Sequence, residues 1–362
     1  GIADAVSVSL AAWIGSLRLT IFYFHMVSLS ALLANLIIIP LAFGIMATAI
    51  IALAGGLVGG AVAAVFNNAN WVLIKLLLLV VQACAALPGS SVLFGSLDKA
   101  PAAITIFDFA NGGAVAAESG NRLWLLDCGS ARDFKNTILP WMRERGRDSV
   151  DGFIVSHGDA RRMGGAVSLL GAGRPPHIVD SPLGDRSRSR KQLHEWLQKS
   201  GIPKSLQFAG DEIDIHPSAK WKILHPPLGF GAGLADDKAL VARFETPQAR
   251  VLFLSDSGPN TFRNLLESRP DELASDILVL GHHHSGILPD AGFIEAVRPS
   301  VIVVSRRGEF TEHEQVDPDW AQWLHGRGIS LFRQDEAGAV LIHVSRTGYE
   351  VEGFLNGQKY HK

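Results

Sequence analysis

Charged and apolar positions follow two regimes along this chain. Between Leu19 and Ile74 there is no Asp, Glu, Lys or Arg, and up to Leu97 only Asp4, Arg18 and Lys75 carry formal charge. From Asp98 onward charged positions recur as they do in a water-facing domain. The change falls in residues 87–99, where a Pro-Gly-Ser-Ser segment reads as a linker. The pattern predicts two parts: transmembrane helices over residues 1–97 and a soluble domain over residues 98–362.

An apolar block of this length exceeds the core of a signal peptide, roughly 7–15 residues. Segments of about 20 residues suffice to cross a bilayer. The expected spans are residues 21–39, 41–66 and 71–94, with Pro40 kinking or ending the first and Pro88 breaking the third late. Residues 6–17 supply the end of another span or an interfacial helix. Gly55, Gly56, Gly59 and Gly60 form overlapping GxxxG patterns, a spacing that lets helix backbones approach closely or simply loosens the span. His25, Asn35 and Gln82 are polar groups at membrane depth, suited to a bundle interior, an aqueous path or a single helix–helix hydrogen bond. Because the chain starts at Gly1 inside apolar sequence, it is expected to be the C-terminal fragment of a larger membrane protein.

Past the linker, short runs rich in Ile, Phe, Leu and Val alternate with helical patterns. ITIFDFA (104–110), RLWLLDCG (122–129) and DGFIVSHG (151–158) read as strands, with helices at 136–145, 164–170 and 186–200. KILHP, ALVARFE, RVLFLSDSG, DILVLGHHHSG, VIVVSR and AVLIHVS continue the strand pattern, with helices near 261–267, 291–297 and 318–326. This predicts a mixed α/β domain with two strand-rich halves flanked by helices. Polar residues gather at the carboxyl ends of its strands: Asp127, His157 with Asp159, Asp256 and His282. Strand ends on a rigid sheet can bring side chains together at one site. Taken one by one, the aspartates also suit turn or helix capping.

Charge narrows the picture slightly. The formal net charge is −2, so the chain lacks the strongly basic balance of a dedicated DNA-binding domain. Basic clusters at residues 143–147, 161–162, 186–191 and 306–307 read as solvated loops and helix faces. The two cysteines, Cys84 and Cys128, form neither a disulfide framework nor a thiolate metal pattern. No Walker pattern or GxSxG elbow occurs, which sets aside a hydrolase triad built on Ser156, His157 and Asp159.

VSHGDARRMGG resembles the HxDxDH-GG loop of the metallo-β-lactamase-like domain, LFLSDSG resembles its Gly-Asp strand end, and LVLGHHHSG resembles its GHHGS motif. The order IFDFANGGAVAAES, LWLLDCGS, VSHGDARRMGG, KILHPP, ALVARFE, LFLSDSG, GHHHSG is similar to the C-terminal domain of ComEC-family DNA-internalisation proteins. AAWIGSLRLTIFYFHMVSLSALLANLIIIPLAF resembles the end of that family's membrane competence domain. The resemblance covers nearly the whole chain. It implies a membrane α-helical segment followed by an α/β domain, an αββα sandwich of metallo-β-lactamase-like type. It also implies a multi-pass channel in the bacterial inner membrane that passes single-stranded DNA, with an extracytoplasmic soluble domain proposed to cut the strand not taken up. Single-stranded DNA, membrane lipid and other competence-machinery proteins are the implied partners.

Carried over by position, His157 and Asp159 correspond to ligands of one metal, Asp256 to the acid bridging two metals, and His282 to a late His ligand. Arg161 and Arg162 stand where the family's loop has the Asp-His pair for the second metal. The Asn/Ser-containing segment before the SLVL strand is replaced by Asp236-Asp237-Lys238-Ala239, and Cys128 replaces a glycine. An arginine offers only donors and stays protonated. At 4 Å and an effective dielectric of 20, a guanidinium repels each unit of cation charge by roughly 4 kcal/mol. The expectation is a domain that lacks the dinuclear centre and holds either no metal or a single Zn or Mn ion. Three functions remain open at this point: a degenerate domain in which Arg161 or Arg162 pairs with Asp256 or Asp159 and which is structural or guides DNA through Arg161 and Arg162, a mononuclear nuclease using His157, Asp159, Asp256 and His282 or His283, and a membrane-anchored small-molecule metallohydrolase.

Overall fold

A computed structural model describes residues 2–24, 26–87, 91–93, 100–109, 112–173, 175–184, 186–231, 236–281, 288–305 and 316–362. The chain forms two compact units, Gly1–Ser96 with Arg143–Arg147, and Leu97–Met142 with Asp148–Lys362.

The first unit contains helices α1 (Ile2–Phe24), α2 (Ser30–Val58) and α3 (Gly60–Ala85), with a short antiparallel pair, β1 (Met26–Ser28) and β2 (Ser91–Leu93). Two stretches, Ala34–Val58 and Gly60–Cys84, are long and apolar enough to cross a membrane. The helix boundaries correct the expected spans. The first break falls between Phe24 and Ser30, and α2 runs through Pro40 instead of stopping there. Pro40 removes one donor, and such a loss is tolerated in an apolar helix when nearby groups take up the freed carbonyl. The second break falls at Gly59, inside the glycine cluster, where the Gly59 N–H still bonds Gly55 O at 2.9 Å. A Cβ on Gly55 would lie 2.8 Å from Val62 Cγ1, so this glycine lets α2 and α3 approach across the turn. His25 lies outside the described residues.

The second unit begins with β3 (Ala102–Ile106), β4 (Val115–Ser119), β5 (Arg122–Leu126), β6 (Gly152–Val155), β7 (His177–Asp180) and β8 (Ser205–Leu206). Strands β9 (Glu212–His216), β10 (Ala219–His225), β11 (Val241–Glu245), β12 (Arg250–Phe253), β13 (Ile277–Leu280), β14 (Val301–Val304) and β15 (Ser330–Arg333) build a second sheet in the order β15-β14-β13-β12-β11-β10-β9. The chain then returns through β16 (Val340–Val344), β17 (Tyr349–Gly353) and β18 (Lys359–His361) to complete the first sheet, ordered β18-β17-β16-β3-β4-β5-β6-β7-β8.

Alternation along the strands divides three cores. In β13, Ile277 and Val279 join Trp124, Ile154, Trp221 and Phe253 between the sheets. Leu278 and Leu280 face the other way, toward α9 (Pro259–Ser268), α10 (Ala291–Val297) and α11 (Pro318–Gly326). Earlier in the chain come α4 (Ala131–Asp133), which a π-helical turn (Phe134–Ile138) joins to α5 (Leu139–Glu144), then α6 (Ala160–Met163), α7 (Ala166–Ala172) and α8 (Arg188–Ser200). They cover the outer face of the first sheet through Phe134, Ile138, Met163, Leu169, Leu193 and Leu197. The result is the expected four-layer αββα sandwich. Strands β5 and β6 run parallel, as do β12 and β13, so each pair delivers its carboxyl ends to a common side.

The basic cluster at residues 186–191 departs from the solvated reading. Arg190 is only 4% exposed. It shares a helix face with Leu193 and Leu197, and its guanidinium reaches Asp180 and the carbonyls of Leu183 and Ser181.

Candidate functional site

The strand ends after β5, β6 and β12 meet in a buried polar cluster. Asp127 follows β5 in a left-handed backbone conformation (φ 59°), and Ser255 follows β12 in the same region (φ 53°). Non-glycine residues adopt this region at a cost, and it turns their side chains sharply off the strand direction. Asp127 accepts from the Ser156 N–H at 2.9 Å and from Ser156 Oγ–H at 2.5 Å. The Ser156 and Ser255 hydroxyls lie 2.6 Å apart, linking the two sheets.

Arg162, in α6, inserts its guanidinium into this cluster. Its Nε and Nη2 donate to the two oxygens of Asp256 at 2.6 and 2.5 Å, a bidentate fork, and Nη1 donates to Asp127 at 3.3 Å. Its side chain is 7% exposed. Burial works against its charge, yet Asp256 and Asp127 outweigh that effect and make it harder to deprotonate than an ordinary arginine. Burial pushes the Asp127 carboxyl above its usual range, against the opposing pull of Arg162 and Ser156.

Glycines make room for the fork. A Cβ on Gly113 would lie 2.8 Å from Arg162 Nη1, and one on Gly112 would lie 2.0 Å from the Arg161 carbonyl. At Gly281, which ends β13, a Cβ would fall 2.1 Å from Ser255 O and 2.5 Å from Asp256 Oδ1. Sequence reasoning assigned no role to Gly112, Gly113 or Gly281, or to Ser255. The Gly-Gly pair in IFDFANGGAV and the glycine preceding the histidine run were the available signals.

The other predicted residues separate from this buried cluster. Asp159 caps α6, accepting from the Arg161 N–H at 2.9 Å, and the Arg161 guanidinium bonds both of its oxygens, at 3.3 and 3.1 Å. Burial would raise the Asp159 carboxyl, but the Arg161 N–H and guanidinium together hold it below the usual carboxylate range. His157 lies in the turn between β6 and α6 and is partly exposed. His282 lies outside the described residues. Of the two arginines expected to face DNA, only Arg161 keeps substantial exposure, at 36% against 7% for Arg162. Arg162 is committed to two aspartates, Asp256 and Asp127.

Among the described residues the donor set does not fit the paired metal centre that this type of fold implies. A second ion needs lone pairs where Arg162 presents N–H groups, and both Asp256 oxygens already accept from that guanidinium. The space lined by Asp127, Arg162, Ser255 and Gln334 amounts to about 30 Å³, on the scale of one water molecule. Among the described residues no three His, Cys, Asp or Glu side chains are disposed to hold a metal.

Two helices long and apolar enough to cross a membrane precede a double-sheet sandwich of metallo-β-lactamase-like fold. Residues 1–116 match the sequence model of the Competence protein family. Over 254 residues the chain is 24% identical to competence protein ComA of Neisseria gonorrhoeae, covering 69% of this chain and 33% of that protein. It is 21% identical over 207 residues to ComE operon protein 3 of Bacillus subtilis, covering 57% and 26%. The chain thus spans a third or less of the length of these curated relatives. Among solved structures, the diiron β-hydroxylase CmlA of Streptomyces venezuelae is similar at a TM-score of 0.48 and 14% identity, covering 68% of this chain and 55% of that one. The metallo-β-lactamase fold protein YhfI of Bacillus subtilis is similar at 0.42 and 14%, covering 64% and 96%. The chain is thus similar to competence proteins over its apolar N-terminal part and to the curated relatives over more than half of its length.

Proposed function

We propose that this chain forms part of a membrane channel for DNA uptake in transformation, and that its metallo-β-lactamase-like domain is catalytically degenerate, serving a structural or DNA-guiding role. The observation that carries the second part is the buried Arg162 fork on Asp256. It puts fixed positive charge and N–H donors beside the acid that would bridge two ions. Two-metal phosphodiester hydrolysis needs cations roughly 3.5–4 Å apart, clamping the attacking and leaving oxygens. On this reading the fork replaces the second cation electrostatically but not chemically, since a guanidinium cannot generate a metal-bound nucleophile.

The partners on this reading are single-stranded DNA, membrane lipid and other competence-machinery proteins. The setting is a multi-pass protein of the bacterial inner membrane with an extracytoplasmic soluble domain. Arg161 is the arginine of the turn whose exposure suits a phosphate contact.

A second reading, a mononuclear Zn- or Mn-dependent nuclease acting on the non-transported strand, is favoured by one observation. Asp159 and Arg161 form a partly exposed pair, with side chains 27% and 36% exposed, which a cation can open. His157, Asp159, Asp256 and His282 would then be the ligand set.

Incubation of the purified chain with single-stranded DNA and Mg²⁺, Mn²⁺ or Zn²⁺ separates the readings. The degenerate reading expects no cleavage above a metal-free control. Cleavage that disappears in His157→Ala would overturn it in favour of the mononuclear nuclease.

A further inference from the structure

We propose that a groove between the β4–β5, β9–β10, β11–β12 and β16–β17 turns binds a phosphate-bearing ligand of nucleotide size, with Arg346 as its anchor. The groove lies at the opposite end of the sandwich from the strand-end cluster. Two of its turns lead into β5 and β12, whereas the cluster follows those strands. Its chemistry is independent of the DNA-uptake reading.

Close backbone approaches fix the walls. A Cβ on Gly120 would lie 2.8 Å from His216 Cδ2, so the β4–β5 turn can meet the β9–β10 turn because that position has no side chain. Gln248 Nε2 donates to the Arg346 carbonyl at 3.3 Å, tying the β11–β12 turn to the β16–β17 turn. A Cβ on Gly348 would collide with the Lys362 carbonyl. Without it, Lys362 and Tyr349 exchange two backbone hydrogen bonds of 3.0 Å. Ser345 Oγ accepts from the Thr347 and Gly348 N–H groups at 3.2 and 3.1 Å, which sets the turn that carries Arg346. The groove so formed measures about 820 Å³, within the range of about 300–1,000 Å³ usual for small-molecule sites.

Charge selects the class of ligand. Arg346, Lys362, His216 and His361 line the groove, and among the described residues Glu350 is the only acidic side chain that does. Glu350 already accepts from Lys359 Nζ at 3.1 Å. Lys362 donates to Asp276 at 2.8 Å, outside the groove lining. Arg346 is exposed, and among the described residues it is paired with no carboxylate. A guanidinium on a concave wall offers a planar fork of donors that matches phosphate oxygens, and it repels a metal cation. His216 Nδ1 lies 2.9 Å from Ser218 Oγ, which holds the imidazole at the wall as a second polar contact. Pro101, Pro247 and Val344 supply apolar lining for a sugar or base. A few polar groups set in an apolar wall suit a nucleoside phosphate better than a bare phosphate ion.

The test is a calorimetric titration of the full chain in detergent with inorganic phosphate, a thymidine mononucleotide and a short single-stranded oligothymidylate, repeated for Arg346→Met and Arg161→Met. Because Arg346 is exposed, its substitution leaves the core untouched. Arg346→Met should weaken the mononucleotide by about tenfold or more, the effect of losing a hydrogen bond to a charged group. Arg161→Met should leave it unchanged. If the oligonucleotide also weakens with Arg346→Met, and its log–log salt slope flattens by about 0.7 for one lost phosphate contact, the groove takes a nucleic-acid strand. If only the mononucleotide responds, the groove takes free nucleotides. Mononucleotide binding that is absent, indifferent to Arg346→Met, or no tighter than that of inorganic phosphate overturns the site. Oligonucleotide binding lost in Arg161→Met alone then belongs to the turn after β6, so the two readings fail separately.

Discussion

Asp127 follows β5 and Asp180 ends β7 in one sheet, and each is 1% exposed, yet their carboxyls are driven in opposite directions. At Asp180 burial alone would raise the pKa, but His194, Arg190 and Lys204 together outweigh it and hold the group below its usual range. Arg190 forks onto it, His194 Nε2 lies at 2.7 Å and Lys204 Nζ at 3.5 Å. Among the described residues Asp127 has one cation within reach, Arg162 at 3.3 Å, and that guanidinium is spent mainly on Asp256. Its remaining partner is the neutral Ser156, so burial wins and the pKa rises. Equal burial therefore decides nothing by itself. What matters is which donors and cations face each acid, and among the described residues the strand-end cluster sets one guanidinium against two carboxylates.

The largest test of this contrast removes the guanidiniums. Arg162→Met keeps much of the stem volume but leaves Asp127 and Asp256 without their cation, which should cost about 3–5 kcal/mol, the usual loss on breaking a buried pair. Arg190→Met leaves Asp180 with His194 and Lys204, so a smaller loss is expected, roughly 1.5–3 kcal/mol, the scale of hydrogen bonds to charged groups. Guanidinium chloride unfolding of both variants gives the order. A larger loss at Arg190 would show that the shared guanidinium is not the strained partner.

The same accounting separates what was legible in the sequence from what was not. The sandwich was readable because β5, β6, β12, β13 and β14 are dense in branched and aromatic residues and end in Asp, Ser or Gly. β4 was missed because Val-Ala-Ala-Glu-Ser is buried at all five positions, so no polar alternation marks it, and its alanines carry little strand preference. β7 was missed because four residues after a Pro-Pro pair give too short a pattern. The arginines in the turn after β6 were recognised as hostile to a second metal, but their division of labour was not. It follows from helical geometry: Arg161 turns back onto the capping Asp159 while Arg162, one residue on, points inward to the sheets. Arg190 was read as solvated because SRSR resembles a surface tract, although its spacing to Leu193 and Leu197 already put it on the buried face.

Acid titration sharpens the contrast at lower energy. The folded-state pKa of Asp180 lies below its ordinary value of 3.8. Its contribution is therefore fully present above that value and is lost as pH falls through the lowered pKa. The folded-state pKa of Asp127 lies above 3.8, so its contribution has the opposite sign: it falls as pH rises through the window between the two values and returns on acidification. Unfolding free energies measured from neutral pH down to about pH 2 should show a shallower acid loss in Asp180→Asn and a steeper one in Asp127→Asn than in the parent chain. Parallel curves for the two variants would mean that the acids do not differ in the way their partners imply.

The smallest effect belongs to His194. Its hydrogen bond to Asp180 is short, but its side chain is 37% exposed, and water screens what it contributes. Lys204 Nζ lies 2.9 Å from His194 Nε2 and 3.5 Å from Asp180 Oδ2, so the lysine can move onto the carboxylate when the imidazole is gone. His194→Gln should therefore cost no more than about 1 kcal/mol, the range of exposed ion pairs. That figure sits below the Arg190→Met loss because Arg190 also donates to two backbone carbonyls, those of Leu183 and Ser181. If His194→Gln proved as costly as Arg190→Met in the same unfolding experiment, Asp180 would depend on the imidazole, and counting cations would have to give way to identifying which one matters.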